Sequence, residues 1–256
     1  MRRLSIAAAL ALLLVGGINA WAEVPMPLDL SQPFATRTPW RLIATQGPEV
    51  ESPASLDDKE PGAIALCISN DGGRSCRPNL VRKPRYPDDI FVEPHYLNMA
   101  EIVHPKPGRA LLLLQTASFH SGNGDQLVLT RLLAYDRPRD AFSVVFEKDT
   151  SRNNNQEVRY VGTGPLKGAV IVAEPTQNAP FGYWITVSKP GLDRYAQALR
   201  YRSATRYGDG NPLAVIDSEM VEIQRRLGLW RKGLPLPLPA GPCARPHLVN
   251  TVLWCS

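Results

Sequence analysis

Residues 110–147 read ALLLLQTASFHSGNGDQLVLTRLLAYDRPRDAFSVVFE. Three runs, Ala110 to Ala117, Leu127 to Tyr135 and Phe142 to Glu147, are rich in Leu, Val, Phe and Tyr and are bounded by turn residues. Such runs are strands. Asp136-Arg-Pro-Arg-Asp140 makes a tight reversal, and the longer polar loops 118–125 and 149–156 carry Gly or Asn at their tips. Sequential neighbours are therefore expected to pair antiparallel.

The pattern continues in Ala169 to Ala173 and Tyr183 to Val187, and in a more polar run, Ala198 to Ala204. There Leu199, Tyr201 and Ser203 alternate with Arg200, Arg202 and Ala204, which predicts a strand with one face in water. One helix is expected near the C-terminus. Asp217 or Ser218 is placed to cap it, Glu219 and Glu222 suit the positive end of its dipole, and Met220, Ile223 and Leu227 share an apolar face. Gly228 stops it, and the leucine–proline alternation of 234–242 is restricted to extended, polyproline II chain. The fold class predicted is all-β, an antiparallel meander of sandwich type with one short C-terminal helix. The hairpin 132–146 also resembles the outer edge of a propeller blade. A closed propeller needs at least about four blades of four strands, more than the strands counted.

Towards the N-terminus the character changes. Met1-Arg-Arg precedes an apolar run, Leu4 to Val15, and then small residues ending in Ala20-Trp21-Ala22. This order predicts a signal peptide over 1–22, because the apolar run falls short of the roughly 20 residues that span a bilayer. No later stretch reaches that length, so no transmembrane segment is expected in the mature chain. Prolines at 25, 27, 33, 39, 48, 53 and 61 interrupt any helix over 23–61. That segment reads as an extended arm, with Trp40, Leu42 and Ile43 as a short alternating patch and 48–60 exposed and mobile. Residues 62–256 are expected to form a single, mostly β domain.

The formal charge is +5, and loss of 1–22 leaves 27 basic and 24 acidic residues, or +3. The cations are dispersed rather than clustered, which argues against a nucleic-acid partner. All four cysteines, Cys67, Cys76, Cys243 and Cys255, lie in the exported part. Asp71-Gly72 is a strong two-residue hairpin turn. With that turn, Cys67 opposes Cys76 in a non-hydrogen-bonded pair, Cα atoms roughly 4.5 Å apart, within disulfide range. Two local disulfides follow, Cys67 to Cys76 and, by elimination, Cys243 to Cys255.

Candidate chemistry is sparse. His95, Glu101 and His104 could converge on a metal if 96–100 were a helical turn, but the spacing matches no zinc motif. His120 shares a loop with Ser121 and Asp125, although Ser121 sits on no strand-to-helix elbow and the loop's composition is that of a hairpin turn. Asp209, Asn211, Asp217 and Glu219 are hard oxygen donors of the kind calcium takes, yet Pro212, Leu213, Val215 and Ile216 stand where further ligands belong. The simpler reading is a turn at 208–212 and a helix start at Asp217. Asp217 and Glu219 could also act as an acid and base pair. Tyr183 and Trp184 point to opposite sides of a strand, so one ring is expected in the core and the other offers a binding face. These observations predict an exported envelope protein, periplasmic or secreted, that is a non-catalytic binding module for an envelope protein or polymer and uses no cofactor. The competing expectations are a periplasmic hydrolase built on His120 with Asp217 or Glu219, and a calcium-stabilised β domain using Asp209 and Asn211.

Overall fold

Four consecutive leucines in one strand alternate between its two faces, so both faces of that strand are apolar and both need covering. A computed structural model describes residues 27–82, 92–151, 156–179, 181–206 and 208–255. The expected signal peptide lies outside the described residues. In chain order the elements are β1 (Leu28–Asp29), α1 (Ser31–Phe34), β2 (Arg41–Gln46), β3 (Val50–Ser52), β4 (Ser55–Glu60), β5 (Ile64–Ser69), β6 (Tyr96–Lys106), β7 (Arg109–Ala117), β8 (Leu127–Asp136), β9 (Ala141–Ser151) and β10 (Glu157–Tyr160). They continue with β11 (Val170–Pro175), β12 (Gly182–Pro190), β13 (Tyr195–Arg206), α2 (Val215–Arg226), β14 (His247–Val249) and β15 (Val252–Trp254).

Strands β6 to β9 form one four-stranded antiparallel meander and β10 to β13 another. Their facing sides make the central core. Leu111, Leu113, Leu132 and Val145 of the first meander meet Val170 and Val172 of the second. The opposite face of the first meander presents Leu112, Leu114, Leu133 and Phe142, and the small sheet β1-β2-β5 covers it with Leu42 and Ile68, helped by Leu30 and Trp40. The opposite face of the second presents Ile171, Tyr183, Ile185 and Val187 to α2, which answers with Val215, Ile216 and Ile223. The molecule is thus three stacked sheets closed by a helix. The pairing of Leu112 with Leu133 and Leu113 with Leu132 keeps the two sets of leucines apart, because paired residues share a face.

The structure corrects several expectations. Residues 28–60 are part of the folded layers and not an arm beside them: β2 pairs with β5, and Trp40 is 1 % exposed. Within 48–60 most described side chains are exposed as expected, but β3 and β4 pair there, and Ser52 and Glu60 are buried. The segment considered as a possible helical turn at 96–100 is instead the start of β6. Both disulfides form as expected, with Cα separations of 4.8 Å for Cys67–Cys76 and 5.0 Å for Cys243–Cys255. The first does not close a two-residue hairpin, however. Asp71 organises a wider loop by accepting hydrogen bonds from the Ser69 hydroxyl and from the amide and hydroxyl of Ser75, and Arg77 N–H donates to Ile68 O at the loop's base. The α2 helix begins at Val215 after Ala214 with no side-chain cap, so neither Asp217 nor Ser218 caps it. Gly228, at φ 71°, ends it as expected.

One polar clasp holds the N-terminal layer to the β8–β9 turn. Asp140 Oδ1 accepts from Tyr135 Oη at 2.5 Å and Trp40 Nε1 at 3.0 Å, while Oδ2 accepts from Thr38 Oγ1 at 2.7 Å. Three donors on one carboxylate, Tyr135 foremost, hold its pKa down from 3.8 to about 2.

Two outcomes follow. Because both faces of β8 are buried, Leu132→Ala and Leu133→Ala should each lower the unfolding free energy by about 2–5 kcal/mol in urea titrations. A sheet with one wet face would lose that much at a single one of the two positions. For Asp140 the folded pKa lies below the unfolded one, so its stabilisation is complete above about pH 4 and disappears as pH falls through about 2. Asp140→Asn should therefore melt below the wild type at pH 7, with the gap closing between about pH 4 and 2 in thermal melts.

Candidate functional site

Of the histidines singled out by sequence, His120 is drawn into a polar cluster with Glu60, Tyr96 and Ser52. It stands in the β7–β8 loop, which Ser118 N–H to Leu127 O, Ser121 N–H to Asp125 O and Gln126 Nε2 to Ser118 O brace internally. Its partner is Glu60, at the end of β4. His120 Nδ1 lies 3.3 Å from Glu60 Oε2, which also accepts from Tyr96 Oη at 2.9 Å and from the His120 amide at 3.3 Å. Glu60 Oε1 accepts from Ser52 Oγ at 2.7 Å. Burial opposes ionisation of Glu60, but the hydrogen bonds from Ser52, Tyr96 and His120 outweigh it and hold its pKa below the usual range. Tyr96 moves the other way. Burial, reinforced by the Glu60 carboxylate, pushes its phenol up to about 12.

A parallel contact lies one residue away on each chain segment. His95 Nδ1 is 2.8 Å from Pro61 O, and its ring stacks on Phe119 with centroids 3.3 Å apart. A carbonyl can only accept, so His95 Nδ1 carries the proton. The same logic applies to His120. An ionised Glu60 only accepts, so Nδ1–H points to it and the neutral ring's Nε2 keeps a lone pair. The His120 side chain is 39 % exposed. The dyad can orient an imidazole as a proton acceptor, but neither prominent cleft reaches it. One, about 420 Å³, is lined by Arg82, Arg131, Glu147 and Asp149 among others, and the second by Val103, His104, Tyr160, Gly162 and Lys167.

The other candidates have structural partners. Asp217, in the first turn of α2, takes both terminal nitrogens of Arg159, whose Nε donates to Glu157 Oε1 at 2.5 Å. That triad ties α2 to β10. Burial keeps Glu157 above the usual carboxylate range despite Arg159. Glu219 is fully buried and accepts from Tyr201 Oη at 2.8 Å, Thr205 N–H at 2.9 Å and Thr205 Oγ1 at 2.5 Å, fastening α2 to β13. Neither carboxylate contacts His120. Asp209 accepts from the Arg206 and Asn211 amides, and Asn211 accepts from Leu213 N–H and donates to Leu253 O. Their oxygens build a turn. Glu101 and His104 sit exposed on β6, and among the described residues no group of three His, Cys, Asp or Glu is placed to hold a metal.

Strand alternation separates the two aromatics as expected. Tyr183 is 1 % exposed and belongs to the core against α2, which corrects its inclusion in a binding face; Trp184 is 37 % exposed on the opposite side. The Arg200 guanidinium lies 4.7 Å from the Trp184 ring centroid, and Arg202 is the cross-strand partner of Trp184. Phe181, one residue before β12, is 60 % exposed. The sequence flagged Trp184 but not its arginines, whose alternation in 198–204 was the available signal. Nothing in the sequence pointed to Glu60 or Tyr96.

A scan of protein-family models found no match, and searches of curated proteins and of solved structures found no relative.

The Glu60–Tyr96 contact is open to a direct check. In carbon-13 NMR of the tyrosine rings, Tyr96 should stay protonated through pH 11, whereas an ordinary tyrosine titrates near pH 10. Glu60→Gln removes the negative charge and should bring the Tyr96 titration down towards that ordinary value.

Proposed function

We propose that the chain is an exported, non-catalytic binding module whose ligand is an anionic polymer of the cell envelope, gripped by the Trp184 side of the second meander. The observation that carries this reading is the exposed Trp184 ring with the Arg200 guanidinium carbon over it, 4.7 Å from its centroid. An aromatic face suits the apolar flank of a sugar or peptide, and a guanidinium over it supplies donors for a carboxylate or phosphate. Among the described residues, Arg200 has no carboxylate partner. Export is supported by the signal-like N-terminal sequence and by the pairing of all four cysteines, which fits an oxidising compartment.

A second reading has one observation behind it: the exposed imidazole of His120 oriented by Glu60, which fits the base of a hydrolase. The two readings separate in one experiment. Isothermal titration of the oxidised protein with an acidic envelope polysaccharide should give binding that Trp184→Ala weakens about tenfold, the loss of one cation–aromatic stack. His120→Ala should leave that binding unchanged. Turnover of the polymer that disappears in His120→Ala would favour the hydrolase, and binding indifferent to Trp184→Ala would refute the proposed face.

A further inference from the structure

The second cleft joins the two meanders. Val103 and His104 come from β6, Tyr160 from the end of β10, and Gly162 and Lys167 from the β10–β11 connection, and β6 and β10 are each an edge strand of their own sheet. Backbone contact fixes its walls. Gly168 has φ 83°, and an added Cβ there would stand 2.6 Å from Pro105 Cβ, so the connection lies directly on the β6 bulge and requires glycine at this point. The connection is braced by Val161 N–H to Ala169 O at 2.9 Å, Gly168 N–H to Val161 O at 2.7 Å and Lys167 N–H to Gly164 O at 3.0 Å. Tyr195 of β13 donates its Oη–H to Gly168 O at 2.8 Å. Gly162, in contrast, leaves room, because an added Cβ would meet nothing within 4 Å. The space amounts to about 250 Å³.

The polar groups around this space are uncommitted. Tyr160 packs its ring against the central core, yet its Oη is buried and has no hydrogen-bond partner among the described residues. Buried hydroxyls are nearly always paired, since an unpaired one loses its hydration and gains nothing in exchange. Burial also raises the Tyr160 pKa above its ordinary value of 10.0, so at neutral pH the phenol is a donor that lacks an acceptor. His104 and Lys167 are exposed, and among the described residues neither side chain has an ion-pair or hydrogen-bond partner. No lining residue is acidic. The cleft thus gathers an ammonium, an imidazole and a phenol without a carboxylate to answer them. Its volume falls below the roughly 300–1,000 Å³ of sites for drug-sized ligands, which restricts the occupant to a small group.

We propose that this cleft binds a phosphate group, with Lys167 and His104 meeting its charge and Tyr160 donating its hydroxyl proton to one of its oxygens. Phosphate matches the donor set better than a carboxylate does, because three donor side chains call for several acceptor oxygens on one centre. The group can arrive as the free ion or as a phosphoester, and the chemistry at the cleft is the same. This site is separate from the Trp184 face, since Trp184 lies on β12, two strands from β10.

The test follows amide chemical shifts of the oxidised full chain during titration with inorganic phosphate and, in parallel, with glycerol phosphate, at an ionic strength held constant with sodium chloride. Saturable shifts centred on residues 103–104 and 160–168 are expected, with the tighter of the two probes identifying the free ion or the ester as the better ligand. Acetate should bind about tenfold more weakly than either. Lys167→Gln and Tyr160→Phe should each weaken phosphate binding about tenfold, the loss of one charge-assisted hydrogen bond. Lys167→Gln should keep a native melt, because the side chain is exposed. Tyr160→Phe should melt no lower than the wild type without phosphate, since the hydroxyl removed has no partner to lose, and should gain less than the wild type when phosphate is added. Trp184→Ala should bind phosphate like the wild type. The proposal is overturned by shifts that do not saturate or that centre elsewhere, by acetate binding as tightly as phosphate, or by full affinity in Lys167→Gln or Tyr160→Phe. It is equally overturned if Tyr160→Phe melts below the wild type without phosphate, or if Trp184→Ala abolishes phosphate binding.

Discussion

A strand that is apolar on both sides cannot rest in water on either, and β7 imposes that condition on everything around it. Leu112 and Leu114 need one cover, Leu111 and Leu113 another. The chain supplies them from opposite directions in sequence: the N-terminal β1-β2-β5 sheet on one side and the later β10–β13 meander on the other. That second meander is itself two-faced and passes the same requirement on to α2. Stacking stops where the outward side turns polar. Arg41 and Thr45 face away from the core on β2, and Arg225 and Arg226 lie on the outer side of α2.

How much of this could be read beforehand depended on whether the signal was local. The strands of 110–147 and of 169–204 announced themselves through unbroken apolar runs between turn residues, and the helix through its periodicity and its glycine stop. The strands β2 and β4 did not, because prolines at 39, 48, 53 and 61 exclude helices yet leave gaps long enough for six-residue strands. Strand β6 was hidden by its histidines and by Pro105, which sits at the bulge between Val103 and Lys106, where a missing N–H is tolerated. The disulfide Cys67–Cys76 was found through a turn that does not exist as supposed. Nearness in sequence was enough to bring the sulfurs together, while the side chain of Asp71 dictated the loop.

The chemistry divides in the same manner. Asp209, Asp217 and Glu219 drew notice because carboxylates are dense there, and they turned out to serve a local turn, an ion pair with Arg159, 58 residues upstream, and a buried hydroxyl network on β13. His120 acquired its partner from sixty residues upstream, and no spacing rule connects a loop histidine to the last residue of a distant hairpin. Trp184 lay between: alternation predicted that one of two adjacent rings would be buried, and the helix α2 decided that it was Tyr183.

The clasp between Trp40 and Asp140 joins groups a hundred residues apart, and that separation bears on how the chain acquires its fold. When the polypeptide emerges N-terminus first, Leu30, Trp40 and Leu42 appear long before Leu133 and Phe142, against which they pack. At synthesis rates of about 5–20 residues per second, the N-terminal layer stays without its binding surface for some seconds. During that interval its apolar side chains are available to one another, to other chains and to chaperones. Loops of that span also close slowly compared with hairpins such as β8–β9. Connectivity thus leaves the N-terminal layer uncovered until β7 to β9, which bear its packing partners, have been made.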